Sequence, residues 1–500
     1  MKNIKKVIFF VSTICFFASC DDLTTIEQPG QLTEEQTFQT IEDLERGLSG
    51  VYDAMSATPT ISFNSIFTDE VRPGFSNTNP ATALYQFDMF TTSGYVYSIW
   101  QNNLSVINFA NRIIRSADNV PATTPAEIAI KNDIIASCHI LRAYSHFQLL
   151  TYFSEDLTND SALGCQKVDF VPTIYQQVPR STNGEVFALI ESDLAYADQL
   201  IDVVDNPEKV FYVSPDMVKA LRARIALYRE DYATALTLAD ELIAKYPLTI
   251  RKKSTDTSVP NPNSTDYFRL WRDNVANPDE NIFKLRRAFP QDESIGNIWA
   301  VNNATLSGFS NWGMSTDLYE MIYDPSVSYN RQNDIRANVC ISNTSKFQDG
   351  FIVLQKYTGG SQNPLQQDYK VFRSSEMYFI KAEAVLATTG DLNQVKSILE
   401  AVNDVRLFNP NLKPIPTLSD AKAAWAQILT ERRKELCYEG HRWVDLKRLG
   451  KKAQVGVERN PADCNGNCTL PYDSYKFTMP IPQREIDANE SIRSQQNSGY

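Results

Sequence analysis

The chain has 500 residues and a formal net charge of −12, with 48 Lys and Arg against 60 Asp and Glu, and it is long enough for one large composite fold or two domains. This excess of acid argues against a nucleic-acid-binding protein, because phosphate backbones are held by clustered Lys and Arg. Beyond the N-terminus no run approaches the roughly 18 apolar residues that mark a candidate membrane span.

The first twenty residues have the layout of a secretory signal. Three lysines precede an apolar run at 7–17 that is too short to span a membrane. The run ends in small residues directly before Cys20, which resembles the lipobox of bacterial lipoproteins. The resemblance implies a signal peptide over 1–19 and acylation of Cys20 by fatty acids such as palmitate. An ordinary secretory signal with a chance cysteine is the alternative.

The next segment, 20–35, is polar and acidic without periodicity, which predicts a tether between lipid and body. The body is predicted to occupy 36–500. Apolar residues then recur at helical spacing near 36–55 and 100–154, which predicts amphipathic helices there.

Two later segments have the pattern of paired helices. In 215–247, apolar faces lie on both sides of a Glu-Asp turn, and prolines stand at the start and the end. This unit resembles a tetratricopeptide repeat, whose period is about 34 residues. A second copy runs from 375 to 406, within predicted helices near 375–448. Residues 185–200 predict a further helix beside the first repeat, extending that helical region over 185–247; two unrelated helical hairpins are the alternative.

Three stretches have no helical period, near 56–99, 251–371 and 451–500. The first two are rich in Asn, Ser, Thr and aromatic residues. Long loops inside a compact body usually carry function. We therefore expect the first two stretches to form an irregular binding region on a helical scaffold.

The positions of the cysteines allow one local disulfide, which the sequence alone does not decide. Cys464 and Cys468 are close enough in the loop CNGNC for a local bond, which would contribute little loop entropy. Cys138 and Cys437 have the pattern of buried helix positions. The three histidines lie far from this loop in sequence, so no metal site is predicted.

Residues 428–450 predict one amphipathic helix with dense charge. Glu431 meets Glu435 at i+4 rather than a base, so simple helix pairing does not explain the pattern. The charges either form a network with neighbouring helices or face solvent. The charged residues are Arg432, Arg433, Glu435, Glu439, Arg442, Asp445 and Arg448.

Several motifs together resemble the SusD/RagB family of outer-membrane nutrient-binding lipoproteins. ERRKEL and EGHRWVDLKR are similar to the signature near the family's end, and RSSEMYFIKAEAV followed by TTGD is similar to its late repeat helix. The segment 180–200 and the ending MPIPQREIDANESIRSQQNSGY also match, with Ser498 in place of the usual proline. The resemblance spans essentially the whole chain.

The resemblance implies a mainly α, SusD-like fold of tetratricopeptide-like helical repeats with a large irregular, loop-rich ligand-binding region. It further implies a cell-surface lipoprotein that binds an oligosaccharide or peptide nutrient and delivers it to a SusC-like TonB-dependent transporter. The pair Asp21-Asp22 resembles the acidic export signal of surface lipoproteins, so we expect anchoring in the outer membrane facing outward. No cofactor is implied.

Polar ligands such as sugars are held by aromatic faces with nearby Asn, Asp and Arg groups. Both irregular regions offer such side chains, although each aromatic could equally pack between loop and repeat. No local motif allows a ligand-binding residue of the family to be assigned to a particular position in this sequence. The candidate ligand-binding residues are Asp69, Arg72, Phe75, Asn77, Tyr95, Trp299 and Trp312.

Two other functions remain open on sequence grounds. A lipid-anchored glycan-degrading enzyme would need two carboxylates about 5 to 9.5 Å apart, which sixty acidic residues make impossible to select. No G-x-S-x-G or HExxH motif is present, so we predict no catalytic residue. A repeat scaffold that only binds proteins is the other alternative.

Overall fold

The computed structural model describes most of the predicted body. The signal peptide, nearly all of the predicted tether and three predicted site residues (Cys20, Phe75 and Asn77) lie outside the described part. The described residues are 34–74, 82–201, 209–249, 265–272, 280–287, 293–299, 310–345, 352–359, 365–464 and 466–500.

Helices make up most of the N-terminal half, and local capping explains where several begin. Thr40, Thr124 and Thr182 each accept a hydrogen bond from the backbone N–H three residues on, and the acid at that position bonds back to the threonine N–H. The helices are α1 Glu34–Thr37, α2 Ile41–Ala54, α3 Thr58–Phe67, α4 Thr82–Tyr85, α5 Gly94–Ala117, α6 Pro125–Phe153 and α7 Asn183–Ala197.

The two predicted helical hairpins are confirmed. The first pairs α8 Pro215–Tyr228 with α9 Tyr232–Lys245, and the second pairs α13 Ser374–Thr389 with α14 Leu392–Arg406. Helix α9 packs along α13, so the hairpins stack although they are distant in sequence. The predicted helix at 185–200 is α7, which packs mainly along α6.

Two predictions about elements are wrong. The stretch 56–99 contains α3, whose residues from Ile61 to Phe67 are all buried, so no 3.6-residue polar face marks it. The single helix expected at 428–450 is two helices, α15 Ala421–Leu436 and α16 Arg442–Ala453. Left-handed backbone at Tyr438 (φ 62°) and Gly440 (φ 85°) separates them.

The described strands form three two-stranded antiparallel pairs. β1 pairs with β3, β2 with β4, and β5 with β6. The fold is therefore mainly α with minor strands, as predicted. The strands are β1 Val71–Pro73, β2 Asn281–Leu285, β3 Trp312–Met314, β4 Tyr369–Arg373, β5 Val457–Glu458 and β6 Thr469–Leu470.

The remaining α-helices of the described chain are short; three lie between the two hairpins in sequence and one lies near the C-terminus. Within the described ranges, no helix combines the length and apolar character that crossing a bilayer requires. The same part of the chain contains no group of three or more His, Cys, Asp or Glu side chains arranged to hold a metal ion. The remaining α-helices are α10 Asp266–Leu270, α11 Thr316–Ile322, α12 Ile335–Cys340 and α17 Gln483–Ala488.

The charges of 428–450 form a buried network, which confirms the first of the two interpretations. Glu435 contacts Arg373 and Arg406, both at 2.9 Å, and all three side chains are at most 2% exposed. Arg432 joins Asp445 of α16 at 2.8 Å and Glu383 of α13 at 3.2 Å. Because an unpaired buried charge is strongly destabilising, these pairs fix how the helices dock. We assign them a structural role.

Candidate functional site

A short ribbon joins the two irregular regions that the sequence predicted as parts of one site. Arg72 of β1 stands opposite Gly313 of β3, and Pro73 stands opposite Trp312. The Gly74 N–H then donates to the Asn311 carbonyl at 2.7 Å. The loop after α3 therefore lies against the chain after residue 310.

Arg72 is the half-buried cation on this ribbon. Its Nη1 donates to Asp463 Oδ1 at 3.2 Å and to Thr316 Oγ1 at 3.3 Å. The Thr316 N–H and hydroxyl each donate to the Asp463 carboxylate at 2.6 Å. The Asp463 side chain is 1% exposed and that of Arg72 is 21% exposed. The Asp463 side chain is therefore enclosed by the fold, whereas the Arg72 side chain is partly exposed.

A disulfide directly follows Asp463 in the chain. Cys464 and Cys468, whose pairing the sequence left open, are bonded. The Tyr85 hydroxyl donates to the Asp463 carbonyl at 2.8 Å, and the Tyr85 ring lies 5.4 Å from that of Trp312. We call Arg72, Tyr85, Trp312, Thr316 and Asp463 the ribbon cluster. Sequence reasoning missed Tyr85, Thr316 and Asp463, although the cysteine beside Asp463 was a usable signal.

Asp69 is buried beneath the ribbon, where its carboxylate is held by arginines. Its carboxylate accepts two hydrogen bonds from Arg442, at 2.8 and 2.7 Å, and lies 3.2 Å from Arg433. Burial alone would raise the pKa of Asp69, but the two guanidinium groups outweigh it and lower the pKa to about 2. Asp69 thus ties the start of the ribbon to α15 and α16.

Trp299 and Trp312 are core residues in this structure, so their positions give no support to the prediction that they form a ligand platform. They are 1% and 4% exposed. The Trp299 ring packs 5.2 Å from Tyr438, and Trp312 packs on Tyr85. A sugar stacks on an exposed ring face, which neither indole offers.

Tyr95 lies away from the ribbon cluster, in the first turn of α5. It is half-buried, and burial raises the pKa of its hydroxyl. One turn further along this helix, Trp100 Nε1 donates to Glu485 of α17 at 3.2 Å. Tyr95 therefore lies on a helix that contacts the C-terminal segment. The ribbon brings together Asp69, Arg72 and Trp312 but not Tyr95.

A concave surface lies beside α2, and sequence reasoning did not identify it. It is a pocket of about 340 Å³ lined by Tyr52, Phe211, Tyr212 and Arg286, among others. Tyr212 is 49% exposed and meets Tyr52 edge-on at 6.3 Å. The Arg286 guanidinium lies 4.1 Å above the Phe211 ring. Exposed rings beside a cation suit a polar ligand.

Models of two families match the two ends of the chain. Residues 294–500 match the model described as the SusD family. Residues 26–227 match the model described as "Starch-binding associating with outer membrane".

Individual proteins are similar over nearly the full length. SusD-like protein P38 of Formosa agariphila is 23% identical, with 91% of this chain and 93% of that protein covered. A putative sugar binding protein from Bacteroides vulgatus has a TM-score of 0.71 and 24% identity, covering 93% of this chain and 99% of that one. Surface glycan-binding protein A from Bacteroides thetaiotaomicron, solved with laminarihexaose, has a TM-score of 0.66 and 20% identity, covering 92% and 100%.

Proposed function

Because this chain belongs to the SusD family, we propose that it is a cell-surface lipoprotein that binds an oligosaccharide or peptide nutrient and delivers it to a SusC-like TonB-dependent outer-membrane transporter. We propose a glycan as one class of ligand mainly because the chain shares its fold with a surface glycan-binding protein that was solved with laminarihexaose. The proposed anchor is a lipid on Cys20, which leaves the body outside the outer membrane.

The proposed ligand surface is the edge of the ribbon. The Arg72 side chain, which is 21% exposed, lies there, and Phe75 and Asn77 follow within five residues. Tyr95 is retained as a more distant candidate. In this proposal Asp69, Trp299 and Trp312 act from below, holding the loop that carries Arg72 rather than touching the ligand.

The proposed role is capture without catalysis. In the ribbon cluster the carboxylate of Asp463 is 1% exposed and already bonded to Thr316 and Arg72. A glycosidase needs two carboxyl groups free to flank the scissile bond. Incubating the protein with candidate polymers and assaying new reducing ends or amines tests this role, and measurable turnover would contradict it.

Calorimetric titration tests binding directly, with laminarihexaose, a panel of other oligosaccharides and a peptide pool as ligands. Arg72→Ala should weaken binding of the best ligand at least tenfold. A charged hydrogen bond contributes about 1.5–3 kcal/mol, and about 1.4 kcal/mol corresponds to a factor of ten. The control is Arg46→Ala, which removes an exposed arginine of α2 paired with Asp43 and should leave the affinity unchanged.

A third variant separates the two surfaces. Tyr212→Ala should leave the affinity unchanged if the ligand binds at the ribbon. If Tyr212→Ala weakens binding and Arg72→Ala does not, the ligand site is the pocket beside α2 and the ribbon proposal is wrong. Failure of every oligosaccharide and peptide to bind would contradict the proposed function itself.

A further inference from the structure

Two free cysteines from distant parts of the chain face each other in the core. Cys340 is the last residue of α12, and Cys437 directly follows α15. Their Sγ atoms are 3.8 Å apart, and the two residues are 2% and 0% exposed. Cys138 and Cys165 are also free and buried, and they provide internal references for this pair.

Fixed backbone contacts hold the two sulfurs in place. The Gln355 N–H donates to the Cys340 carbonyl at 2.9 Å. The next residue, Lys356, donates through Nζ to the Cys437 carbonyl and to Glu439 Oε1, both at 2.8 Å. The segment Gln355-Lys356 therefore binds the main-chain carbonyls of both cysteines. This shared contact holds the ends of α12 and α15 together, and it brings the two sulfurs close.

We propose that Cys340 and Cys437 form a disulfide in the mature protein. Disulfide sulfurs lie about 2 Å apart, so the two Sγ atoms, now 3.8 Å apart, must approach by roughly 1.8 Å to form the bond. The chain already contains a bonded pair, Cys464–Cys468, and disulfides persist in oxidising compartments. For its occurrence in the cell, the inference rests on the proposed location outside the cytoplasm.

The chemistry is thiol–disulfide exchange with an external disulfide, either oxidised glutathione or a protein disulfide. One cysteine thiolate attacks the carrier and forms a mixed disulfide, releasing one carrier thiolate. The second cysteine attacks the mixed disulfide, forms the Cys340–Cys437 bond and releases the other. Two electrons pass to the carrier, and the two protons leave the cysteines. Because both thiols are buried in the folded protein, exchange must precede the docking of α12 on α15.

The bond would tie the site region to the helical scaffold. Helix α12 follows β3 and α11, which carry Trp312 and Thr316 of the ribbon cluster. Cys437 lies at the junction of α15 and α16, and the next residue, Tyr438, donates through its hydroxyl to the Glu70 carbonyl at 3.0 Å. The cross-link would thus clamp both sides of the ribbon to the same helix junction.

Peptide mapping of refolded protein tests the proposal without reference to cellular location. The full-length chain is unfolded and reduced in detergent, then refolded with a glutathione redox couple or with dithiothreitol. The refolded protein is then unfolded in urea in the presence of N-ethylmaleimide, which blocks every free thiol including the buried ones, and it is digested without reduction for mass spectrometry. With glutathione, we expect a joined peptide pair containing Cys340 and Cys437, while Cys138 and Cys165 carry the label. Recovery of Cys464–Cys468 in the same digest shows that oxidation was effective.

Label on Cys340 and Cys437 beside an intact Cys464–Cys468 bond would overturn the proposal, and so would pairing of either residue with another cysteine. Thermal unfolding supplies a second readout. The oxidised protein should melt at a higher temperature than the reduced one, and Cys340→Ser should diminish that difference whereas Cys138→Ser should preserve it. Ligand titration is a separate measurement, so failure of the disulfide is distinguishable from failure of the proposed function.

Discussion

Asp69 and Glu70 are adjacent acids with opposite electrostatic surroundings. Asp69 lies between two arginines, whereas Glu70 accepts hydrogen bonds from Ser65 Oγ at 2.7 Å and from the Tyr438 N–H at 3.3 Å. Burial raises the pKa of Glu70 to about 7, and the charge of Asp69 adds to the rise, although Ser65, Tyr438 and Arg433 oppose it. One carboxyl is therefore ionised throughout the physiological range and the other titrates within it.

Glu70→Gln should remove a pH-dependent part of the free energy of unfolding. In the unfolded chain Glu70 loses its proton near pH 4.5, but in the folded chain it keeps the proton until about pH 7. The folded state therefore binds more protons in this window, and its stability falls as pH rises from 4.5 to 7. The pKa shift corresponds to about 3 kcal/mol. At pH 8 the free energy of unfolding of Glu70→Gln should therefore exceed that of the wild type by up to this amount.

Urea unfolding at intervals between pH 4 and 8 measures this difference. Glu42→Gln on the exposed side of α2 is the control, and its stability should follow the wild-type profile. If the Glu70→Gln profile also remained parallel to that of the wild type, Glu70 would not be the titrating group.

At the scale of elements, close backbone approach fixes the ribbon. A Cβ on Gly74 would stand 1.9 Å from the Ser310 carbonyl oxygen, so no side chain fits there without separating the strands. Gly74→Ala should lower the free energy of unfolding by about 1–3 kcal/mol, the usual cost of overpacking. It should also weaken ligand binding if the ribbon edge is the site.

A glycine in an open position supplies the matched control. Gly50 lies inside α2, and a Cβ there would meet nothing within 4 Å. Gly50→Ala should stabilise the protein by about 0.5–1 kcal/mol, because alanine favours helix interiors over glycine. Denaturant unfolding measures both variants, and equal shifts of the same sign would contradict the steric argument.

The sequence predicted those elements whose apolar spacing reflects one buried face. Both helical hairpins have this spacing, and their bounds follow from Pro, Asp and Gly at the turns. Helix α3 lacks this apolar spacing, because it buries polar residues as well as apolar ones. Asn64, for example, donates to the Thr60 carbonyl and the Tyr152 hydroxyl, and accepts from the Trp443 N–H. Tertiary partners satisfy these groups, so no local pattern marks the helix.

For the whole molecule, the sequence indicated two regions that the structure brings together at the ribbon, but it did not indicate which of their side chains are exposed. Arg72 and Trp312 were both candidates, yet the ribbon that joins them pairs residues about 240 positions apart, which no local pattern predicts. An aromatic residue in a loop looks the same in sequence whether its ring faces solvent or core. Trp312 is buried, whereas Tyr212, which carried no motif, is exposed.

The proposed attachment of the body to the membrane concerns the whole chain. The attachment that we propose is the lipid on Cys20. Several acyl chains hold firmly, because each buried methylene contributes about 0.8 kcal/mol. The segment between Cys20 and the first described helix, which begins at Glu34, would then tether the body to the membrane.

Cys20→Ala should release the protein from the membrane, because the acylated side chain is the proposed anchor. Fractionation of cells into membrane and soluble pools, followed by immunoblotting, measures the release. Asn3→Ala in the proposed signal peptide leaves both the apolar run and Cys20 intact, so it should remain in the membrane pool. Persistence of Cys20→Ala in that pool after a high-salt wash would contradict the lipid anchor. Ligand titration of the released variant should match the wild type, since the ribbon cluster lies in the folded body.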